Sequence, residues 1–116
     1  MLKVGLEMSG HEVAEATGCE EAIAFARNHH PNLIIMDAIL PFDEYLNTID
    51  KLRHSAAARH VPVILISGFS QRRFQKAARE HGVEGFLVKP IDWDQLEICI
   101  SAVLKRGRIN HGGMQC

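Results

Sequence analysis

Three residues stand where apolar runs stop, and their types suit phosphoryl chemistry. Asp37 closes Leu33-Ile34-Ile35-Met36, Ser67 follows Val61 to Ile66, and Lys89 follows Phe86-Leu87-Val88. A bare carboxylate is poorly placed in a core. It is well placed at the carboxyl edge of a buried parallel strand, where open α/β sheets gather their chemistry. An Asp side chain can attack a phosphorus centre and form an aspartyl phosphate. The transferring group spreads charge over three oxygens, so it needs cations and hydrogen-bond donors already in position. Lys89 offers a point charge and Ser67 a hydroxyl hydrogen. Each residue also has a plainer reading: Asp37 as a helix N-cap or turn acid, Ser67-Gly68 as turn chemistry, Lys89 as a surface lysine. Their shared position at three successive strand ends favours a common site.

The elements that must hold these residues alternate between strand and helix, which predicts a doubly wound parallel sheet with right-handed crossovers. His11 to Ala16, after Gly10, reads as a short edge strand. Thr17-Gly18-Cys19-Glu20 is a capping-box signature, with Thr17 as N-cap and Glu20 reaching back. The helix it starts carries Ala22, Ile23, Phe25 and Ala26 on one face and stops before Pro31. Leu33 to Met36 is a buried strand, and Asp43 to His54 a helix with Tyr45, Leu46, Ile49 and Leu52 at helical spacing. Val61 to Ile66 is a second buried strand, with Pro62 tolerable near its start. Ser70 can cap a helix through His81 that faces inward with Phe74, Ala77 and Ala78 and ends at Gly82. Phe86 to Val88 is the last strand. Asp92 with Gln95 caps a final helix striped by Trp93, Leu96, Ile100, Val103 and Leu104, and Gly107 ends it.

The acid, the hydroxyl and the Lys89-Pro90 pair, in this order and with Gly82, Gly85 and the helices between them, resemble the receiver domain of bacterial two-component response regulators. The resemblance runs from the first residues to about Arg106 and implies a flavodoxin-like (CheY-like) α/β fold. It implies that Asp37 accepts the phosphoryl group, that Ser67 and Lys89 contact the phosphate, and that the Lys89-Pro90 bond is cis. The family's switch aromatic maps to Phe86, which reads equally well as a core residue. Receivers hold Mg²⁺ with an acidic pair, the acceptor Asp37 and the backbone carbonyl two residues on, that of Ile39.

One departure matters. Receivers open with a hydrophobic strand ending in that acidic pair, whereas Met1 falls inside what reads as the end of the first helix, Leu2 to Gly10. The expectation is therefore an N-terminally truncated receiver-like domain over residues 1–106 and a C-terminal tail over 107–116. Mg²⁺ binding should be weak or absent; Asp43 and Glu44 fit the first turn of their helix better than they replace the lost acids. In the order 2-1-3-4-5 the missing strand lies between His11–Ala16 and Leu33–Met36, leaving an apolar edge. The His11 strand could slide across, Leu2–Met8 could fold back as a strand, or a second copy could pair there. Self-association is the expected remedy.

The resemblance implies a stand-alone receiver module that takes its phosphoryl group from a sensor histidine kinase or phosphotransfer protein and signals by protein contact, and not an enzyme. The alternative is a receiver-like interaction domain that is not phosphorylated. A small flavodoxin-like phosphatase or hydrolase finds no support, since no nucleophile elbow, cysteine-arginine loop or second catalytic acid is present. At 116 residues, 47% apolar and 23% charged, the chain suits one globular domain, able to bury roughly two-thirds of its unfolded surface. A formal net charge of -1 and the lack of a DNA-reading module after Arg106 argue against direct nucleic-acid binding. Arg72, Arg73, Lys76 and Arg79 make one helix basic, either a solvated face or a docking surface of the kind receivers use for dimerisation. No apolar run is long enough to span a membrane and no signal peptide opens the chain, so a cytoplasmic location is expected. Cys19, Cys99 and Cys116 are scattered and odd in number, which predicts reduced thiols. The seven histidines are dispersed near turns and helix ends, without the clustering a structural zinc site needs.

Overall fold

Three apolar runs set a parallel sheet, and each carries one of the polar residues singled out above. A computed structural model describes residues 2–38, 42–68 and 72–106. Its elements in chain order are α1 (Leu2–Met8), α2 (Cys19–His29), β1 (Ile34–Ala38), α3 (Phe42–His54), β2 (Val63–Ser67), α4 (Arg72–Glu80), β3 (Gly85–Val88) and α5 (Trp93–Arg106). The strands pair in parallel in the order β1-β2-β3, with α3 and α4 as crossovers. β2 lies in the middle and is buried along its whole length. Its unbroken Val-Ile-Leu-Ile run is what a strand covered on both faces requires. Val63 and Leu65 pack with Ala26, Ile49, Leu52, Ala78 and Phe86, under the layer formed by α2, α3 and α4. Ile64 and Ile66 pack with Leu6, Leu96, Ile100 and Val103, under α1 and α5.

One expected strand does not form. Leu2–Met8 is helical, as its sequence reads, and it sends Leu6 into the α5-side core. Residues 11–16 have no ladder, although burial alternates over the first four: His11 and Val13 are half-buried while Glu12 and Ala14 are exposed. A strand needs a neighbour, and among the described residues β1 pairs only with β2. The segment lies against α5 instead, where His11 Nε2 meets Glu97 Oε1 at 3.4 Å and Val13 touches the Leu6 cluster. Neither intramolecular remedy for the β1 edge is therefore taken.

Helix ends follow local chemistry with small shifts. Thr17 donates its N–H and its hydroxyl to the Glu21 carboxylate at 3.3 and 3.1 Å, so Glu21 rather than Glu20 closes the start of α2, and Gly18 is the N-cap. Gly82 ends α4 with φ 105°, a conformation glycine adopts without steric penalty. There Gly82 N–H and Val83 N–H donate to the Arg79 and Ala78 carbonyls, as in a Schellman ending. Asp92 Oδ1 accepts from the Asp94 and Gln95 amides at 2.9 and 3.4 Å and caps α5. Ser70, Gly107 and the tail 108–116 lie outside the described residues.

The end of the sheet away from Asp37 is tied by a buried ion pair. Glu84 Oε1 accepts from Val63 N–H at 2.8 Å and from Arg53 Nη2 at 3.0 Å. Arg53 also donates to the Gly82 carbonyl from Nε and Nη2, at 3.1 and 2.9 Å, and to the Val61 carbonyl from Nη1 at 2.7 Å. One guanidinium thus joins the end of α3, the approach to β2 and the turn before β3.

Cys19 is a free thiol whose Sγ donates to the Thr48 carbonyl at 3.9 Å. Burial pushes its pKa up, opposed by nearby Lys51. Cys99 is buried on α5, and Cys116 lies outside the described residues.

Trp93 leaves the inward stripe expected of it. It is 42% exposed and its ring lies over α1 at Gly5, where an added Cβ would collide with the ring edge. The collision is with the far end of a side chain open to water, so Gly5→Ala should swing the indole outward at small cost. Stability should fall by less than about 1 kcal/mol. Acrylamide quenching of the single tryptophan should rise; unchanged quenching would show that α1 moves instead.

Candidate functional site

Parallel pairing brings the carboxyl ends of the strands to one edge. Asp37 is the penultimate residue of β1 and stands in register with Ile66; Ser67 ends β2 and pairs with Ala38 on one side and Val88 on the other. Lys89 follows β3 directly, and its N–H donates to the Ser67 carbonyl at 2.8 Å, which adds one more rung to the β2–β3 ladder. That rung fixes the base of the lysine. From there the side chain must cross β2 to reach β1, two interstrand spacings or about 10 Å between backbones. A four-carbon stem meeting an aspartate covers it. Lys89 Nζ lies 2.6 Å from Asp37 Oδ1.

The sequence placed the acid, hydroxyl and amine just beyond their strands. The structure puts Asp37 and Ser67 in the last rungs, and only Lys89 beyond. Asp37 and Lys89 are brought into direct contact. Ser67 joins them through the backbone and is fully buried at the floor of the edge. Phe86 is 8% exposed and packs in the core cluster that includes Ala78 and Val83. The Lys89-Pro90 bond is cis. Ile39, whose carbonyl the resemblance assigns to the cation, lies outside the described residues.

The ion pair is open to water: the Asp37 and Lys89 side chains are 47% and 32% exposed. An ion pair in that setting is worth 0–1 kcal/mol, so Lys89 can leave the carboxylate for a phosphoryl oxygen without a large penalty. A donor can reach Asp37 directly from solvent. The receiver family binds Mg²⁺ at its acidic pocket. Among the described residues no group of three or more His, Cys, Asp or Glu side chains could hold a metal ion. Mg²⁺ is usually held by one or two carboxylates together with waters and phosphate oxygens, and the carboxylate here faces an ammonium. Of the donors the resemblance assigns to the ion, Asp37 lies among the described residues and Ile39 does not.

A family profile described as response regulator receiver domain matches residues 1–101. The chain belongs to that family. The polar-differentiation response regulator DivK of Brucella ovis is 36% identical over 86 residues, which span 74% of this receiver and 70% of DivK. A putative response regulator from Chloroflexus aurantiacus superposes with a TM-score of 0.80 at 24% identity, over 91% of this receiver and 87% of that chain. The signal receiver domain of a histidine kinase from Syntrophus aciditrophicus gives 0.75 at 26% identity, over 95% and 83%. These likenesses establish a CheY-like, flavodoxin-like α/β fold for the receiver. Domains of this kind are signalling modules that work with histidine kinases or phosphotransfer proteins. Among the described residues no helix is long and apolar enough to cross a membrane.

Proposed function

We propose that this receiver accepts a phosphoryl group on Asp37 and passes the signal on by protein contact in the cytoplasm. The observation that carries the proposal is the 2.6 Å contact between Lys89 Nζ and Asp37 Oδ1 at the carboxyl edge of the sheet. In the reaction a carboxylate oxygen of Asp37 attacks the phosphorus of a phosphohistidine on a sensor kinase or phosphotransfer protein. A new P–O bond forms, the P–N bond breaks, and the imidazole leaves with the electron pair. Lys89 moves from the carboxylate to a phosphoryl oxygen, and the Ser67 hydroxyl donates to another. Residues 1–106 act as the receiver unit and 107–116 as a tail. The unpaired edge of β1 is a place where a second copy could add, giving a homodimer.

Transfer is expected to be slow, because among the described residues Lys89 is the cation that meets the charge developing at Asp37. A second reading follows from the same observation: a receiver that binds partners without being phosphorylated. Incubation with a small acyl phosphate and Mg²⁺, read by intact mass, separates the two. The expected result is slow, incomplete addition of one phosphoryl group, lost in Asp37→Asn. Rapid stoichiometric labelling would refute the slowness, label that survives Asp37→Asn would refute the site, and no label at all would favour the second reading.

A further inference from the structure

The outer edge of β1 is bare backbone. Ile34 stands in register with Val63, and its N–H donates to the Pro62 carbonyl at 2.9 Å. Along a strand successive residues turn their N–H and C=O to opposite sides. Ile34 and Met36 therefore bond to β2, while Leu33, Ile35 and Asp37 point their backbone groups outward. No backbone hydrogen bond joins those three outward residues to another segment among the described residues. Leu33 to Met36 are each only half-buried, whereas every residue of the neighbouring β2 is buried. Ile34 and Met36 pack under the α2, α3 and α4 layer, and Leu33 and Ile35 under α1 and α5.

A strand added at this edge lies beside a helical layer on each face. It needs apolar side chains on both, the continuous pattern of a doubly covered strand. Residues 11–16 do not meet that requirement. Glu12 and Glu15 would point to opposite faces of a strand, so each layer would receive an unpaired carboxylate. This is a physical reason for the segment to stay against α5 without a ladder. β1 of a second copy does meet the requirement, because Leu33 to Met36 is apolar without a break.

We infer that β1 pairs with β1 of a second copy, antiparallel across a two-fold axis at Ile35, so that the two sheets join into one. On the axis Ile35 exchanges both backbone bonds with its counterpart, and Leu33 and Asp37 exchange theirs with each other. Every outward group of the three residues is then engaged. Directly opposed side chains share a face, so each apolar layer continues across the join. Other registers do worse. Centring on Asp37 would set the two carboxylates face to face, and centring on Met36 would take Leu33 beyond the end of the opposing strand. The contact is isologous, so association closes at the dimer. This pairing gives the homodimer of the proposed function its register, and it rests on the open edge alone, not on phosphorylation of Asp37.

The test combines sedimentation velocity and amide hydrogen exchange on the full chain across a concentration series, in about 20 mM and about 500 mM NaCl. The mass should rise from monomer to dimer and stop there at both salt concentrations, because salt does not screen backbone bonds and apolar packing as it screens charge. Over the same series the Ile35 and Asp37 amides should pass from free exchange to protection. The Ile34 and Met36 amides, bonded to β2, should be protected throughout. Ile35→Pro removes an outward N–H and leaves the β1–β2 ladder intact. It should weaken the dimer on the order of tenfold or more, and circular dichroism checks that it folds. A monomer at every concentration would overturn the inference, as would a mass that climbs past the dimer, the mark of β1 docking on the β3 edge of the next copy. So would a dimer whose Ile35 and Asp37 amides exchange freely, or a folded Ile35→Pro that associates like the wild type. None of these readouts depends on phosphoryl transfer, so failure here leaves the assignment of Asp37 intact.

Discussion

Arg53→Ala should lower the unfolding free energy by about 3–5 kcal/mol, the usual cost of removing one partner from a buried ion pair. Glu84 is only 1% exposed and Arg53 10%, so water cannot replace the lost contact. The arginine also donates to the Gly82 and Val61 carbonyls, whose own partners would go with it. Domains of this size are stable by only about 5–15 kcal/mol, so the loss is a large fraction of the whole. Arg53→Lys should recover little, because an ammonium cannot span Glu84, Gly82 and Val61 as a guanidinium fork does. Glu84→Gln should cost less than Glu84→Ala, since an amide oxygen can still accept from Val63 N–H. Urea unfolding followed by circular dichroism measures all four. A loss below about 1 kcal/mol for Arg53→Ala, the range of exposed pairs, would show that the network is not the clasp described.

Lys89→Ala should slow phosphoryl transfer to Asp37 by a factor of about 100 or more, the typical effect of deleting one group that stabilises developing charge in a reaction. The effect belongs to the rate and not to the fold. The pair is half open to solvent, and its contribution to stability is small. The variant should therefore unfold at nearly the wild-type urea midpoint while labelling from a small acyl phosphate drops. A large change in stability with unchanged labelling would reverse these roles and make Lys89 a structural residue.

The sheet and its three polar strand ends were legible because each rests on a local signal. Continuous apolar runs mark β1, β2 and β3, and Asp37, Ser67 and Lys89 interrupt them at matching places. What was not legible depends on neighbours distant in the chain. Burial alternates from His11 to Ala14, yet alternation alone cannot supply the adjacent strand that a ladder needs. Trp93 shares the helical spacing of the inward residues of α5, but its ring lies over Gly5 of α1 and stays largely open to water. Phe86 reads equally as core or switch, and its place in the cluster with Ala78 and Val83 depends on α4, which its own segment does not show. Arg53 and Glu84 are separated by 31 residues and gave no sequence signal, because a charged residue at a helix end or before a strand is ordinarily solvated.

The most direct measurement is of the acceptor atom itself. The receiver is incubated with a small acyl phosphate, trapped with borohydride, which reduces an acyl phosphate to an alcohol, and digested for peptide mapping. The structure predicts the reduced side chain at residue 37 and nowhere else, with its yield falling in Lys89→Ala. Reduction at any other carboxylate, or phosphoryl addition to the intact chain with residue 37 unmodified, would contradict the assignment of Asp37 as the site.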